Sequence, residues 1–288
     1  KKNKIIIISL LSALLIALCV LVVEMKGTEK KAYQGLTEIE EDQNMEVEND
    51  DNSQYIDMSL EKDIEAHFQE NGIDHEKVAY CITDLEHNIK YSMNEKDEFI
   101  AASIYKLPLA MLYYDKVNEG EYTLDSTFTY SGYMHEDAGV ISSDYGIGSQ
   151  VPLSDLLNDL IIYSDNDAGH ILYENLGGWK EYKEAMTKYT DSISENYYTM
   201  DNVTTANTMN DVVTYLYDHK EDYKGLIKNM EKAEPGEYLD RDTQLSMPQK
   251  YGMYDYALNS VGFVECNTSY SIVVLTSLGD KGADVMAN

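Results

Sequence analysis

Apolar residues fall along this chain in three regimes. From Ile5 to Val23 they are continuous, 19 positions without a charge, enough to span a bilayer as a helix. From Thr37 to Gln54 they nearly vanish. TEIEEDQNMEVENDDNSQ holds only Ile39, Met45 and Val47 among carboxylates, amides and hydroxyls, with no period. Such a composition repels itself and stays extended, so 27–54 reads as an acidic disordered tether. From Tyr55 onward the apolar positions recur with regular spacing, and 55–288 reads as one folded domain.

Within that domain Leu60, Ile64 and Phe68 repeat at helical spacing, and Gly72 ends the run. KVAYCITDLE and HNIKYSMNEKDEFIAAS read as two strands joined by a polar turn at Glu86–Asn88. AASIYKLPLAMLYY, Ala101 to Tyr114, follows as an apolar helix, then a looser Ser-, Gly-, Tyr- and Asp-rich region from Gly120 to Gln150. The sequence predicts a helix from about Pro152, with proline in its first turn, and a second one between Ser164 and Gly177–Gly178. Lys180–Tyr189 and Thr205–Asp218 also read as helical. SVGFVECNTSYSIVVLTSLGD reads as strand, NTS turn and strand, and KGADVMAN as the first turn or two of a C-terminal helix. Strands at both ends around a helix-rich middle predict an α+β fold whose sheet gathers the N- and C-terminal strands.

Charge narrows the partners. Twenty-two basic against 52 acidic residues give a net charge of −30, which repels nucleic acid. Nothing calls for a metal or other cofactor, since neither CxxC nor HExxH occurs among the three cysteines and six histidines. Cys81 and Cys266 lie far apart in strand-like segments, and a disulfide between them has little support. Lys1, Lys2 and Lys4 precede the apolar run as in a signal sequence. The run ends VVEMKG without a small-residue cleavage site, so 1–26 reads as an uncleaved signal anchor with the main domain outside the cell. A secreted form would require cleavage.

The apolar helix Ala101–Tyr114 carries the first chemical signal. Ser103 stands three positions before Lys106, so the two share a helix face. A serine hydroxyl needs a base to become a nucleophile. A lysine among apolar neighbours can supply one once burial lowers its pKa. Pro108, inside an apolar helical stretch, is a local rule broken near a candidate site. The pattern decides nothing alone, because Ser59–Lys62 repeats S-x-x-K at what reads as an ordinary helix start.

Two further motifs change the balance. Ser164–Asp165–Asn166 follows the apolar run LLNDLIIY, 61 positions after Ser103, and Lys250–Tyr251–Gly252 precedes the terminal strand pair. S-x-x-K, S-D-N and K-x-G in this order are the signature of class A β-lactamases and penicillin-binding proteins. From about Met58 to the C-terminus the sequence therefore resembles a class A β-lactamase-like serine hydrolase. The TTA segment at Thr204–Ala206 and the paired strands stand in matching order.

The resemblance implies a β-lactamase-like α+β fold with the sheet packed on a helical subdomain, and roles residue by residue. Ser103 is the acylated nucleophile and Lys106 its base or proton partner. Ser164 passes a proton to the leaving nitrogen with help from Lys250. Asn166 orients the substrate amide, and Lys250 also draws a substrate carboxylate. Gly252 lets the strand backbone approach the substrate. The backbone N–H groups of Ser103 and Met253 form the oxyanion hole. The implied partner is a β-lactam or a cell-wall peptide.

The sequence departs from the pattern at two places. K-T-G has become K-Y-G, so Tyr251 lacks the compact hydroxyl that helps hold a β-lactam carboxylate. The E-x-x-L-N loop, whose glutamate activates the deacylating water, is absent from a short interval, with Lys250 only 86 positions after Ser164. Glu195 is the nearest replacement, weighed against an exposed loop glutamate. These departures predict an acyl-enzyme that forms but hydrolyses slowly.

Overall fold

The computed structural model describes residues 59–287. The sequence-predicted anchor (1–26), the tether (27–54) and the domain start at Tyr55 lie outside the described residues. Among the described residues no helix is long and apolar enough to cross a membrane.

Helix α1 (Ser59–Asn71) leads into strands β1 (Val78–Asp84) and β2 (Ile89–Met93). The two-residue strand β3 (Phe99–Ile100) and a 3-10 turn (Ala102–Tyr105) then feed α2 (Lys106–Asn118). The helical part continues through β4 (Thr127–Thr129), α3 (Val140–Asp144), β5 (Gln150–Pro152), α4 (Leu153–Ile162), α5 (Asn166–Asn175) and α6 (Trp179–Met186). After β6 (Val203–Thr204) come α7 (Ala206–Asp218) and α8 (Lys224–Met230). The chain then closes with β7 (Gln249–Tyr254), β8 (Ala257–Val264), β9 (Tyr270–Thr276) and α9 (Lys281–Ala287).

Five strands form one antiparallel sheet in the order β2-β1-β9-β8-β7. The N- and C-terminal strands share this sheet, as the sequence predicts. Its centre is covered on both faces: every residue of β8 is buried. Phe68 of α1 and Met286 of α9 pack on one face with Val78, Tyr80, Leu258 and Val274. The helical part covers the other face, where Leu107, Leu109 and Leu160 join Ala79, Val261 and Val273 in the main core. Edge strand β7 therefore faces the 3-10 turn along a seam between sheet and helices.

Pro108 is the third residue of α2, where first-turn N–H groups have no intrahelical partner, so it breaks no hydrogen bond. Cys81 is buried and Cys266 exposed, and both are free thiols. Burial pushes the Cys81 thiol up to about 12, which suits an inert core residue. Helix α8 and the short pairings β3–β6 and β4–β5 have no counterpart in the predicted elements, being too brief for a hydrophobic period to register.

Candidate active site

The seam gathers the three sequence motifs. Ser103 lies in the 3-10 turn, half-buried, on a cleft of about 660 Å³ that it shares with Tyr105, Asn166, Asp201, Met253 and Tyr254. The residue before it, Ala102, has φ +49°. An alanine in the left-handed region costs on the order of 1 kcal/mol, so the surroundings must impose it. Asn202 Nδ2 donates to the Ala102 carbonyl at 2.8 Å, and the Ala101 N–H donates to the Asn202 carbonyl at 2.8 Å. From the sheet, Asn259 Nδ2 donates to the carbonyls of Ile100 at 2.8 Å and Ala101 at 3.0 Å. The turn is thus pinned from both sides.

Lys106 opens α2 and is fully buried. Its Nζ donates to the Ser164 carbonyl at 2.6 Å, to Asn166 Oδ1 at 2.7 Å and to Ser164 Oγ at 3.4 Å. Burial pushes this lysine down to about 8, while Glu136 and Asp165 pull the other way. The Lys106 backbone N–H donates to the Ser103 carbonyl, but among the described residues no side-chain hydrogen bond joins Lys106 Nζ to the Ser103 hydroxyl. In this resting arrangement the ammonium is held by the S-D-N turn.

That turn is built by its own sequence. Ser164 sits between α4 and α5 with φ +57°. Asp165 caps α5 by accepting from the Ala168 N–H at 2.9 Å, and its other oxygen accepts from the Ile141 N–H at 3.1 Å. Asp167 accepts from the backbone N–H groups of His135 at 2.8 Å and Glu136 at 3.0 Å. Gly169 allows close packing behind the site, where a Cβ would lie 2.7 Å from the Tyr105 hydroxyl and 3.4 Å from Lys106 Cε.

Strand β7 supplies the third motif. Lys250 is fully buried and its Nζ donates to the Tyr251 carbonyl at 2.8 Å. Burial holds it well below the ordinary lysine value, the Lys106 charge adds to that depression, and Glu234 opposes it. Gly252 runs directly against the nucleophile turn. The Tyr251 ring turns the other way, stacked on Tyr238 at 5.0 Å between centroids, with Lys250 Nζ 4.1 Å from the Tyr251 centroid.

A family model described as the beta-lactamase enzyme family matches residues 59–287, all of the described domain. The chain belongs to that family. A search of the curated proteins returns no match. Among solved structures, the fold is similar to a β-lactamase from Chitinophaga pinensis DSM 2588 (TM-score 0.66, 21% identity, 78% of this chain and 96% of that one). It is also similar to the TLA-3 extended-spectrum β-lactamase (TM-score 0.68, 19% identity, 80% and 94%). A third likeness is to a mutant of PBP-A, solved as an acyl-enzyme complex with penicillin G (TM-score 0.67, 16% identity, 80% and 92%). The protein is accordingly a β-lactamase-like serine hydrolase of α+β class.

For this β-lactamase-family domain, the structure brings together Ser103, Lys106, Ser164, Asn166, Lys250 and Gly252, with the exposed Met253 beside Ser103 on the cleft. It places two residues elsewhere. Glu195 is exposed in the 190–202 segment and is not a lining residue of the cleft. Tyr251 belongs with Tyr238. The carboxylate that does reach the motif is Glu136, bonded to Asn166 through both oxygens. Sequence reasoning missed it because it lies in an irregular loop, YSGYMHEDAG, whose spacing from the motifs carries no period. Lys183 was missed too: buried on α6, its Nζ donates to the carbonyls of Tyr197, Thr199 and Asp201 and so holds one wall of the cleft.

Proposed function

We propose that this hydrolase acylates Ser103 with a β-lactam or a related amide and releases the acyl group slowly. The observation that carries the reading is the Lys106 ammonium, buried one turn from Ser103 and bonded to both Ser164 and Asn166. A lysine so placed needs only to lose one proton to become the base for the serine hydroxyl. Ser164 then returns a proton to the leaving nitrogen, with Lys250 close enough to Lys106 for their charges to interact. The oxyanion would be met by the backbone N–H groups of Ser103 and Met253. Asn166 would orient the substrate amide.

Slow deacylation is supported by the surroundings of the cleft. Glu195 does not line it, Glu136 has both oxygens engaged by Asn166, and Asp201 is exposed. Tyr251, stacked on Tyr238, offers no compact hydroxyl to a substrate carboxylate, which favours an uncharged amide over a classical penicillin. An activity of D-alanyl peptidase type on cell-wall peptides, or a non-turnover penicillin-binding sensor, shares these steps up to the acyl-enzyme. The apolar run Ile5–Val23 and the acidic segment after it support a single-pass anchor with the domain on the outer face of the membrane.

The test is to treat the full-length protein with a fluorescent penicillin and a chromogenic cephalosporin. We expect stable label on Ser103, lost in Ser103→Ala, and little colour beyond the first turnover. A wild-type protein left unlabelled by penicillins and by peptide-derived acylating probes alike would sink the acyl-serine reading. Rapid turnover would overturn slow deacylation alone.

A further inference from the structure

We propose that Glu136 is a positioning residue of this site: its carboxylate fixes which way the Asn166 amide faces and thereby holds Lys106 as an ammonium on the S-D-N turn. Its consequence for Ser103 chemistry rests on the acyl-serine reading above, but its structural content does not.

An ionised carboxylate can only accept hydrogen bonds. Both donors that reach Glu136 here come from Asn166, the backbone N–H to Oε2 at 3.2 Å and Nδ2 to Oε1 at 2.9 Å. With Nδ2 committed to Glu136, the other end of the amide, Oδ1, faces Lys106 Nζ at 2.7 Å. A flipped amide would set Oδ1 against a carboxylate and Nδ2 against an ammonium, opposing like partners at both ends. Glu136 therefore decides the amide's orientation, and the amide gives Lys106 an acceptor rather than a competing donor.

The carboxylate is itself delivered by a built segment. Asp167, the residue after the motif, holds the N–H groups of His135 and Glu136. The Glu136 carbonyl accepts from the Gly139 N–H at 2.9 Å and from the Ser142 hydroxyl. Motif and carboxylate are thus locked to each other twice, once through Asn166 and once through Asp167.

The charges around Lys106 agree with the geometry. Glu136 and Asp165 favour its charged form, burial opposes them, Lys250 faces it from the β7 side and is itself depressed by the Lys106 charge, and the Tyr105 ring lies 5.8 Å from its Nζ. Removing the Glu136 charge leaves burial opposed by Asp165 alone. Lys106 then loses its proton at lower pH.

The experiment follows Lys106 directly, by NMR titration of the full-length protein labelled at the lysine ε-carbons, with Lys106→Arg to assign the signal. In Glu136→Gln the Lys106 midpoint should fall by about one pH unit, and in Glu136→Asp it should stay within a few tenths of wild type. Glu136→Ala, which introduces no new amide, keeps the test open should Glu136→Gln fail to fold. A midpoint unchanged in Glu136→Gln or Glu136→Ala overturns the proposal. Labelling of Ser103 is read alongside. Its pH profile should shift by the same amount, whereas an unlabelled wild type defeats the acyl-serine reading and leaves the titration to judge Glu136.

Discussion

A Cβ placed on Gly252 would stand 2.7 Å from the backbone nitrogen of Ser103. It would also lie 2.8 Å from the nitrogen of Ile104 and 3.0 Å from the Ala101 carbonyl oxygen. All three are backbone atoms of the pinned turn, so none can swing aside as a side-chain tip would. The glycine of K-Y-G is thus required here by protein against protein, before any substrate arrives.

Gly252→Ala should therefore push β7 off the turn and misplace the Ser103 N–H. Misplacement of about 1 Å costs roughly 100-fold in rate, while overpacking costs about 1–3 kcal/mol. The labelling rate of Ser103 should drop about 100-fold in a protein that still folds with a lowered Tm. A normal labelling rate would show that the strand can retreat without cost.

On the proposed mechanism Lys106 sets the pH dependence of acylation. Acting as base for Ser103 requires that it first lose its proton, and burial brings that loss down to about pH 8. The labelling rate should rise tenfold per pH unit below about 8 and level off above it. Stability follows with a definite sign. The unfolded lysine keeps its proton up to about 10.5, so between 8 and 10.5 the unfolded state binds more protons and stability rises with pH. Lys250, depressed in the same direction, adds to this rise. Above about 10 the buried tyrosines, typified by Tyr182 with its raised pKa, turn the trend downward. Denaturant melts at about pH 7, 8, 9 and 10 would reveal a flat or falling trend if the lysines carry no such penalty.

What the sequence disclosed follows from which physical signals have a period. The paired strands around Glu86–Asn88 and the NTS turn were legible because alternation and turn residues mark them. The three motifs were legible because acyl-transfer chemistry fixes residue types at short spacings. Glu136, Asn202, Asn259 and Lys183 were not, although each holds the site. They act through contacts between segments distant along the chain, such as Asn259 to Ile100, and a lone polar residue in an apolar strand or a loop carries no partner's address. Glu195 shows the same limit: its place in the interval between two motifs says nothing about which way that segment faces.

Lys183 anchors one wall of the cleft. Its ammonium donates to carbonyls of Tyr197, Thr199 and Asp201 at 2.5, 2.9 and 2.6 Å, and its Nζ lies 5.3 Å from the Trp179 ring. Lys183→Met keeps the stem and deletes the charge, leaving these acceptors to find water. Each buried group so abandoned costs about 1–3 kcal/mol. Hydrogen exchange should accelerate across residues 197–202 before the sheet is affected, and Ser103 labelling should weaken because Asn202 no longer holds Ala102. Unchanged exchange in that segment would mean the loop is held by other contacts.

Tyr251 offers the sharpest test of substrate choice. Its ring is committed to Tyr238, with 19° between the planes, and Lys250 bonds the Tyr251 carbonyl instead of meeting solvent. Tyr251→Thr restores a compact hydroxyl beside Lys250 and removes one stacked pair, a loss of about 0.5–1.5 kcal/mol beyond the burial itself. Two opposed outcomes then separate. Stability should fall modestly, while the acylation efficiency for a penicillin carrying its carboxylate should rise about tenfold, the scale of one added hydrogen bond to a charged group. The same penicillin as its methyl ester, which lacks the charge, should gain nothing. If acid and ester respond alike, the tyrosine does not discriminate by charge, and any preference for uncharged amides must come from elsewhere in the cleft, with Asp201 the first residue to examine.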